Sequence, residues 1–308
     1  MSQEPIGILE LDRFTAKGIS RWLEISRDLD ELHNVLYYSL VPERKRYRQD
    51  LLKAISSIQP LHFEFDKWVR TVSYQRSDSP LSCAGSLHGC GGRFNIGIDL
   101  DESGMSPWPA LYIGADHETA YREKFQLPSD TRVSGLTPEE LALQPGGSHT
   151  SVLLRGRLQS VFDMRSFKPL NPVARVLARI KMPEKAIILK RRLSIPHKGI
   201  GMIRDGSTLY RALMEHNWRR QPIQFGLPAP THIIAELVRA AGFEAILYRS
   251  TKSNNDCLAI YPDQLASNSY IELVDGAPQS VIHARMDENT APELCGWDSI
   301  PRQFRPAM

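Results

Sequence analysis

The sequence predicts an α+β fold carrying an N-terminal helical extension. Three observations lead there. Apolar residues in the first 60 positions recur at helical spacing. After residue 65 the texture changes to short β-rich pieces separated by Gly, Pro and Ser. Helical stretches interrupt those pieces without a regular βαβα alternation, which argues against a doubly wound sheet.

In chain order, Trp22, Leu23, Ile25, Leu29, Leu32, Val35 and Leu36 mark a helix over 20–36. Tyr47, Leu51, Leu52, Ala54, Ile55 and Ile58 mark a second over 45–58, with the proline of "SLVPER" breaking the pattern between them. Strands are predicted at "WVRTVSY" (68–74), "ALYIG" (110–114), "SVLLRGRL" (151–158) and "KAIILKRRL" (185–193). Three more follow at "EAILYR" (244–249), "CLAIYP" (257–262) and "YIELV" (270–274). Helices are predicted over 117–126, 172–181, 207–219 and 231–242. The resulting organisation is an extension over 1–60, a main domain over 61–276 and a weakly patterned tail over 277–308.

Composition narrows the class of protein. Hydrophobic content of 42% and charged content of 24% suit a globular chain with a real core. The start "MSQEPIGILELDRF" lacks the basic n-region and apolar run of a secretory signal, and no apolar run is long enough for a membrane span. Four cysteines are too few for a disulfide scaffold, so the expected setting is the cytoplasm. A net charge of +3 permits anionic ligands without arguing for nucleic acid. The basic clusters "LKRRL" (189–193) and "NWRRQ" (217–221) lack a base-stacking aromatic pattern apart from Trp218 and read as solvated faces.

Candidate sites begin with "GCGGRFNIG" (89–97). It satisfies neither the dinucleotide nor the P-loop pattern, so by itself Arg93 reads as a hairpin arginine. Cys83, His88 and Cys90 match no common zinc spacing, and no metal is expected. In "ALYIGADHETAYREKF" (110–125), Asp116 is placed to cap a helix that begins at His117. Ala120, Tyr121 and Phe125 make that helix's apolar stripe, and Glu123 borders it. Such a carboxylate either points into a cleft or makes a solvated salt bridge. Tyr112 reads as core or as a stacking platform. In 228–262, Thr231 is expected to cap a helix, and a strand delivers Arg249, Ser250 and Thr251 to a polar loop. No G-x-S-x-G elbow is present, which argues against a serine nucleophile.

Taken together, "WVRTV", "GGRFN", "ALYIG", "AYRE", "PTHIIAELVRAAGF" and "ILYRS" resemble, in the same order, the motifs of the RES family, over about residues 65 to 265. The chain departs from the family's pattern in long insertions around 126–150 and 165–205. It also departs in Arg249, where many members carry proline before the serine. The resemblance implies a fold similar to ADP-ribosyltransferases, with a split β-sheet core. In several members it also implies a toxin that consumes NAD and is held in check by a helix-turn-helix antitoxin. NAD is then a substrate, and no separate cofactor is implied.

On that resemblance Glu123 would stabilise the oxocarbenium-like ribose, while Arg93 and Arg70 would clamp the pyrophosphate or nicotinamide end. Tyr112 would stack or hydrogen-bond near the ribose, and Ser250 would hydrogen-bond substrate, with Thr231 a second candidate hydroxyl. Asn95 would order the turn. The acceptor of the ADP-ribosyl group is left open among phosphate, water and a protein side chain. "HKGIGMIRDG" (197–206) is a candidate source of cations beside the ribose. A protein ADP-ribosyltransferase and a non-catalytic nucleotide-binding module are the alternatives. Oligomeric state stays undetermined.

Overall fold

The structure is a computed structural model and describes residues 16–100, 105–127, 148–195, 200–253, 255–274 and 280–296. Its helices are α1 (Ala16–Tyr38), α2 (Val41–Arg46), α3 (Arg48–Ser56), α4 (His117–Phe125), α5 (Asn171–Leu177), α6 (Glu184–Arg192), α7 (Gly206–Leu213), α8 (Arg220–Phe225), α9 (Pro230–Ala240) and α10 (Ala291–Cys295). Its strands are β1 (Leu61–Ser73), β2 (Leu111–Gly114), β3 (His149–Asp163), β4 (Ala245–Arg249), β5 (Asp256–Ile260), β6 (Tyr270–Leu273) and β7 (Arg285–Met286). The mixture is α+β, as the alternation of periods indicated.

These elements fall into two compact units. The larger comprises Arg48–Ala178 and the residues from Ile203 onward. Its seven-stranded sheet runs in the order β1-β2-β5-β4-β3-β6-β7, and β1 also pairs with β3, closing five of the strands into a ring. Only β3 and β4 run parallel. The long strand β3 lends Leu154–Arg157 to β6 and Val161–Asp163 to β4, so its neighbour changes along its length and the sheet splits there. Strand β1 turns through a bulge between Phe65 and Trp68, where Lys67 adopts φ of 56°. Phe65, Trp68, Leu111, Leu154, Leu158, Leu247 and Leu258 fill the core on one side of this sheet.

The smaller unit comprises residues up to Tyr47 with Arg179–Met202. There Leu32 of α1 packs on Ala186 and Leu189 of α6. Asp28–Arg192 and Glu31–Lys185 pairs flank the contact at 3.0 and 2.5 Å. Exposed pairs of this kind contribute little, and the apolar seam carries the packing.

Four expectations need correction. "KAIILKRRL" is not a strand but the body of α6, preceded by Pro183. Its buried residues Ala186 and Leu189 stand three apart, a helical interval that an apolar run conceals. The predicted helix over 207–219 stops early: α7 ends at Leu213, and 214–219 form a turn that leads into α8 at Arg220. Helix α3 does not belong with the extension. Arg48 grips Glu236 of α9 through two 2.7 Å bonds, joining α3 to the sheet unit. The tail is partly core: β7 pairs with β6, and Met286, Ala291 and Leu294 are buried in the main cluster. Much of the predicted insertion over 126–150 lies outside the described residues. No helix among the described residues is long and apolar enough to cross a membrane.

Candidate active site

A cleft of about 240 Å³ opens within the sheet unit. Strand β1, the loop over 76–86, the glycine turn, β2, α4 and the segment Trp218–Arg219 line it. The glycine turn is built before any ligand is considered. Gly91 holds φ of 86°, and a Cβ there would strike the backbone of Asn95–Gly97. A Cβ on Gly92 would strike the Tyr112 ring. Both positions therefore require glycine for packing within the protein. Fully buried Asn95 ties the turn down. Its Oδ1 accepts from Gly92 N and from the Tyr112 hydroxyl, each at 2.9 Å, and its Nδ2 donates to Ser86 O and Trp108 O. Asn95 orders the turn in the way its position suggested.

Tyr112 lines the cleft with its ring, while its hydroxyl is spent internally, since it also accepts from Phe94 N at 2.9 Å. Burial pushes the phenol well above its ordinary range, so it stays protonated.

The two arginines are likewise held by their own chain. Arg93 is 4% exposed. Its Nη1 donates to Leu213 O and Glu215 O at 3.0 Å, and its Nη2 donates to Thr251 Oγ1 at 3.0 Å. That leaves Nε buried without a partner. The guanidinium also stands 5.8 Å from the centroid of Trp218. Arg70 donates to Ser82 O at 2.7 Å and Tyr112 O at 3.4 Å, and its Nε too is buried without a partner. An orphaned buried N–H is uncommon and calls for an acceptor.

Helix α4 presents the carboxylate. Asp116 caps it as predicted, accepting from Thr119 N at 2.7 Å, and is itself held by Asn255. Glu123 then faces the cleft, and Ser250 Oγ donates to its Oε1 at 2.7 Å. The same Oγ accepts from Lys252 N at 2.9 Å and Ser253 N at 3.2 Å. Ser250 is 3% exposed and does not itself line the cleft. It aims Glu123.

Thr231 is drawn elsewhere. Helix α9 starts at Pro230 with Ala229 as its N-cap, so Thr231 lies inside the first turn and is not the cap. Its hydroxyl is buried without a partner, and it is not among the residues lining the cleft. The sequence reading passed over its neighbour His232. That ring is fully buried: Nδ1 accepts from Ala229 N at 3.2 Å, which leaves Nε2 to donate to Gly92 O at 2.9 Å. It thereby anchors the glycine turn to α9. Burial pushes its pKa down to about 4. An unfolded histidine takes up its proton near 6.5 and this one only near 4. Acidification through that window should therefore cost up to about 3 kcal/mol of stability. Denaturant midpoints between pH 7 and pH 4 should show the loss, and His232→Gln should flatten it.

Trp218 and Arg219 do not form the solvated face that "NWRRQ" suggests. Trp218 is 6% exposed, Arg219 stacks on it at 5.1 Å, and both line the cleft. Trp218 was the one aromatic signal in that cluster. Among the described lining residues, Arg70, Arg76, Arg93, Lys124 and Arg219 are cationic and Glu123 alone is anionic. The cleft is thus an anion-attracting site with one carboxylate held in a fixed direction. The segment "HKGIGMIRDG" does not contribute: 197–199 lie outside the described residues, and 200–206 are not among the lining residues.

No curated protein matches the chain. Among solved structures, a chain of the M. tuberculosis MbcT-MbcA toxin-antitoxin complex is similar, at 12% identity and a TM-score of 0.41. The likeness covers 80% of this chain and 97% of that one. The family model of the RES domain matches residues 68–279, a span that takes in every residue lining the cleft as well as Ser250. This chain therefore belongs to the RES domain family.

Proposed function

We propose that the protein cleaves the N-glycosidic bond of NAD, releasing nicotinamide, and does so as a toxin restrained by a helix-turn-helix antitoxin in the cytoplasm. The observation that carries the chemistry is the Glu123 carboxylate, aimed by Ser250 into a cleft whose other charges are positive. In NAD the nicotinamide is a cationic leaving group. The bond from ribose C1′ to the ring nitrogen breaks with its electron pair going to that nitrogen, so the base departs neutral and needs no proton. The ribose is left oxocarbenium-like, and Glu123 stabilises that charge from a position set before substrate arrives. A new C1′–oxygen bond then forms to phosphate or water, and water's proton passes to solvent. Transfer to a protein side chain is the same reaction with another acceptor.

Cleft size bears on which part of the dinucleotide enters. About 240 Å³ falls below the roughly 300–1,000 Å³ typical of enclosing ligand pockets. On this reading the nicotinamide riboside end would occupy the cleft beside Glu123 and Tyr112, with the adenosine end toward its mouth.

The full chain, incubated with NAD in the presence and absence of phosphate, should release nicotinamide. The accompanying product, ADP-ribose or its 1-phosphate, identifies the acceptor. NAD left intact under both conditions, with no protein target labelled, would sink the reading. Expression of the chain alone should arrest growth and deplete NAD, and co-expression of its antitoxin should reverse both.

A further inference from the structure

One wall of the cleft holds a cluster that the chemistry above does not use. Arg76, Ser79 and Lys124 line it beside Arg70. Ser79 is 4% exposed, yet its hydroxyl is buried without a hydrogen-bond partner, like the Nε of Arg70. Neither Arg76 nor Lys124 has a carboxylate among the groups acting on it in the described residues. Desolvation of its ammonium against the cleft wall, followed by repulsion from Arg70 and Arg76, pushes Lys124 down to about 8, although the residue as a whole is exposed. Room for the cluster is built in at Gly85, where a Cβ would collide with the Arg76 guanidinium. Arg70 and Arg76 are half-buried and Lys124 stands exposed beside them; three neighbouring cations without a carboxylate repel one another, a cost that a bound anion removes. The donors are of the kind that grip tetrahedral oxyanions: the guanidinium fork of Arg76, the remaining Nε of Arg70, an ammonium and a hydroxyl.

We propose that Arg76, Ser79 and Lys124, together with Arg70, form a subsite for a phosphate group. The subsite rests on the NAD reading only for the identity of the molecule that carries the phosphate. That molecule is either the dinucleotide, through its diphosphate, or free inorganic phosphate acting as acceptor.

Direct binding tests this without reference to turnover. Inorganic phosphate and pyrophosphate should bind the full-length chain in a calorimetric titration. Arg76→Gln and Lys124→Gln should each weaken that binding about tenfold or more, the loss expected for one charge-assisted bond. Both variants remove an unopposed cation, so they should melt no lower than the parent. Gly85→Ala displaces Arg76 without changing charge and should also weaken binding. Affinities in all three variants equal to the parent's, or a parent that binds neither anion at millimolar concentration, would overturn the proposal.

Two further arms separate the sources. If the diphosphate occupies the subsite, the variants lose affinity for NAD and keep it for nicotinamide riboside. If free phosphate occupies it, NAD affinity holds and the phosphate concentration needed for half-maximal turnover rises. Phosphate binding that depends on Arg76 and Lys124 in a chain that leaves NAD intact would uphold the subsite and sink the NAD reading.

Discussion

Glu123→Gln should slow nicotinamide release by about a hundred- to a thousandfold, with little change in NAD affinity or melting temperature. The size follows from what is lost: a charge placed in advance where the transition state becomes positive. The specificity follows from what is kept. Glutamine has the same shape, and its carbonyl oxygen can still accept the 2.7 Å bond from Ser250 Oγ. Ser250→Ala should be milder, near tenfold, because the carboxylate stays in the cleft but loses its aim. Single-turnover rates give the chemical step and calorimetry gives the affinity. A Glu123→Gln enzyme that matches the parent in rate would remove this carboxylate from the mechanism.

Arg93→Ala should destabilise the protein by about 3–5 kcal/mol, the range for removing a buried charge that satisfies several partners. Leu213 O, Glu215 O and Thr251 Oγ1 all lose their donor at once. The segment that holds Trp218 and Arg219 over the cleft would then be released, so activity should fall with stability. A loss of that size corresponds to roughly 10 °C in melting temperature. Arg93→Lys is the informative companion. It keeps the positive charge but cannot serve three acceptors from one ammonium, so it should retain only part of the stability. If Arg93→Lys melts with the parent while losing NAD affinity, the arginine grips substrate rather than its own chain.

That distinction shows where local pattern stops being informative. The motif "GGRFN" marked Arg93 as a substrate clamp by resemblance, and the residue does line the cleft. Its terminal nitrogens, however, are committed to residues 120 to 158 positions away. The same is true of Ser250, which meets Glu123 across 127 positions and aims a carboxylate instead of lining the cleft. Arg76 and Lys124 carried no motif at all, and only the folded sheet unit puts them on one wall.

What the sequence determined by itself is whatever acts over a few residues or survives as ordered motifs. Helical and strand periods indicated an α+β fold, Asp116 announced the start of α4, and the succession from "WVRTV" to "ILYRS" identified the family. Propensity failed where apolar runs hide their period, as in α6. Tertiary structure alone decided which side chains face the cleft and which are used up holding it. Capping and side-chain spacing are settled within a turn or two of chain. A hydrogen-bond partner more than a hundred residues distant is chosen only when the sheet closes and water is excluded.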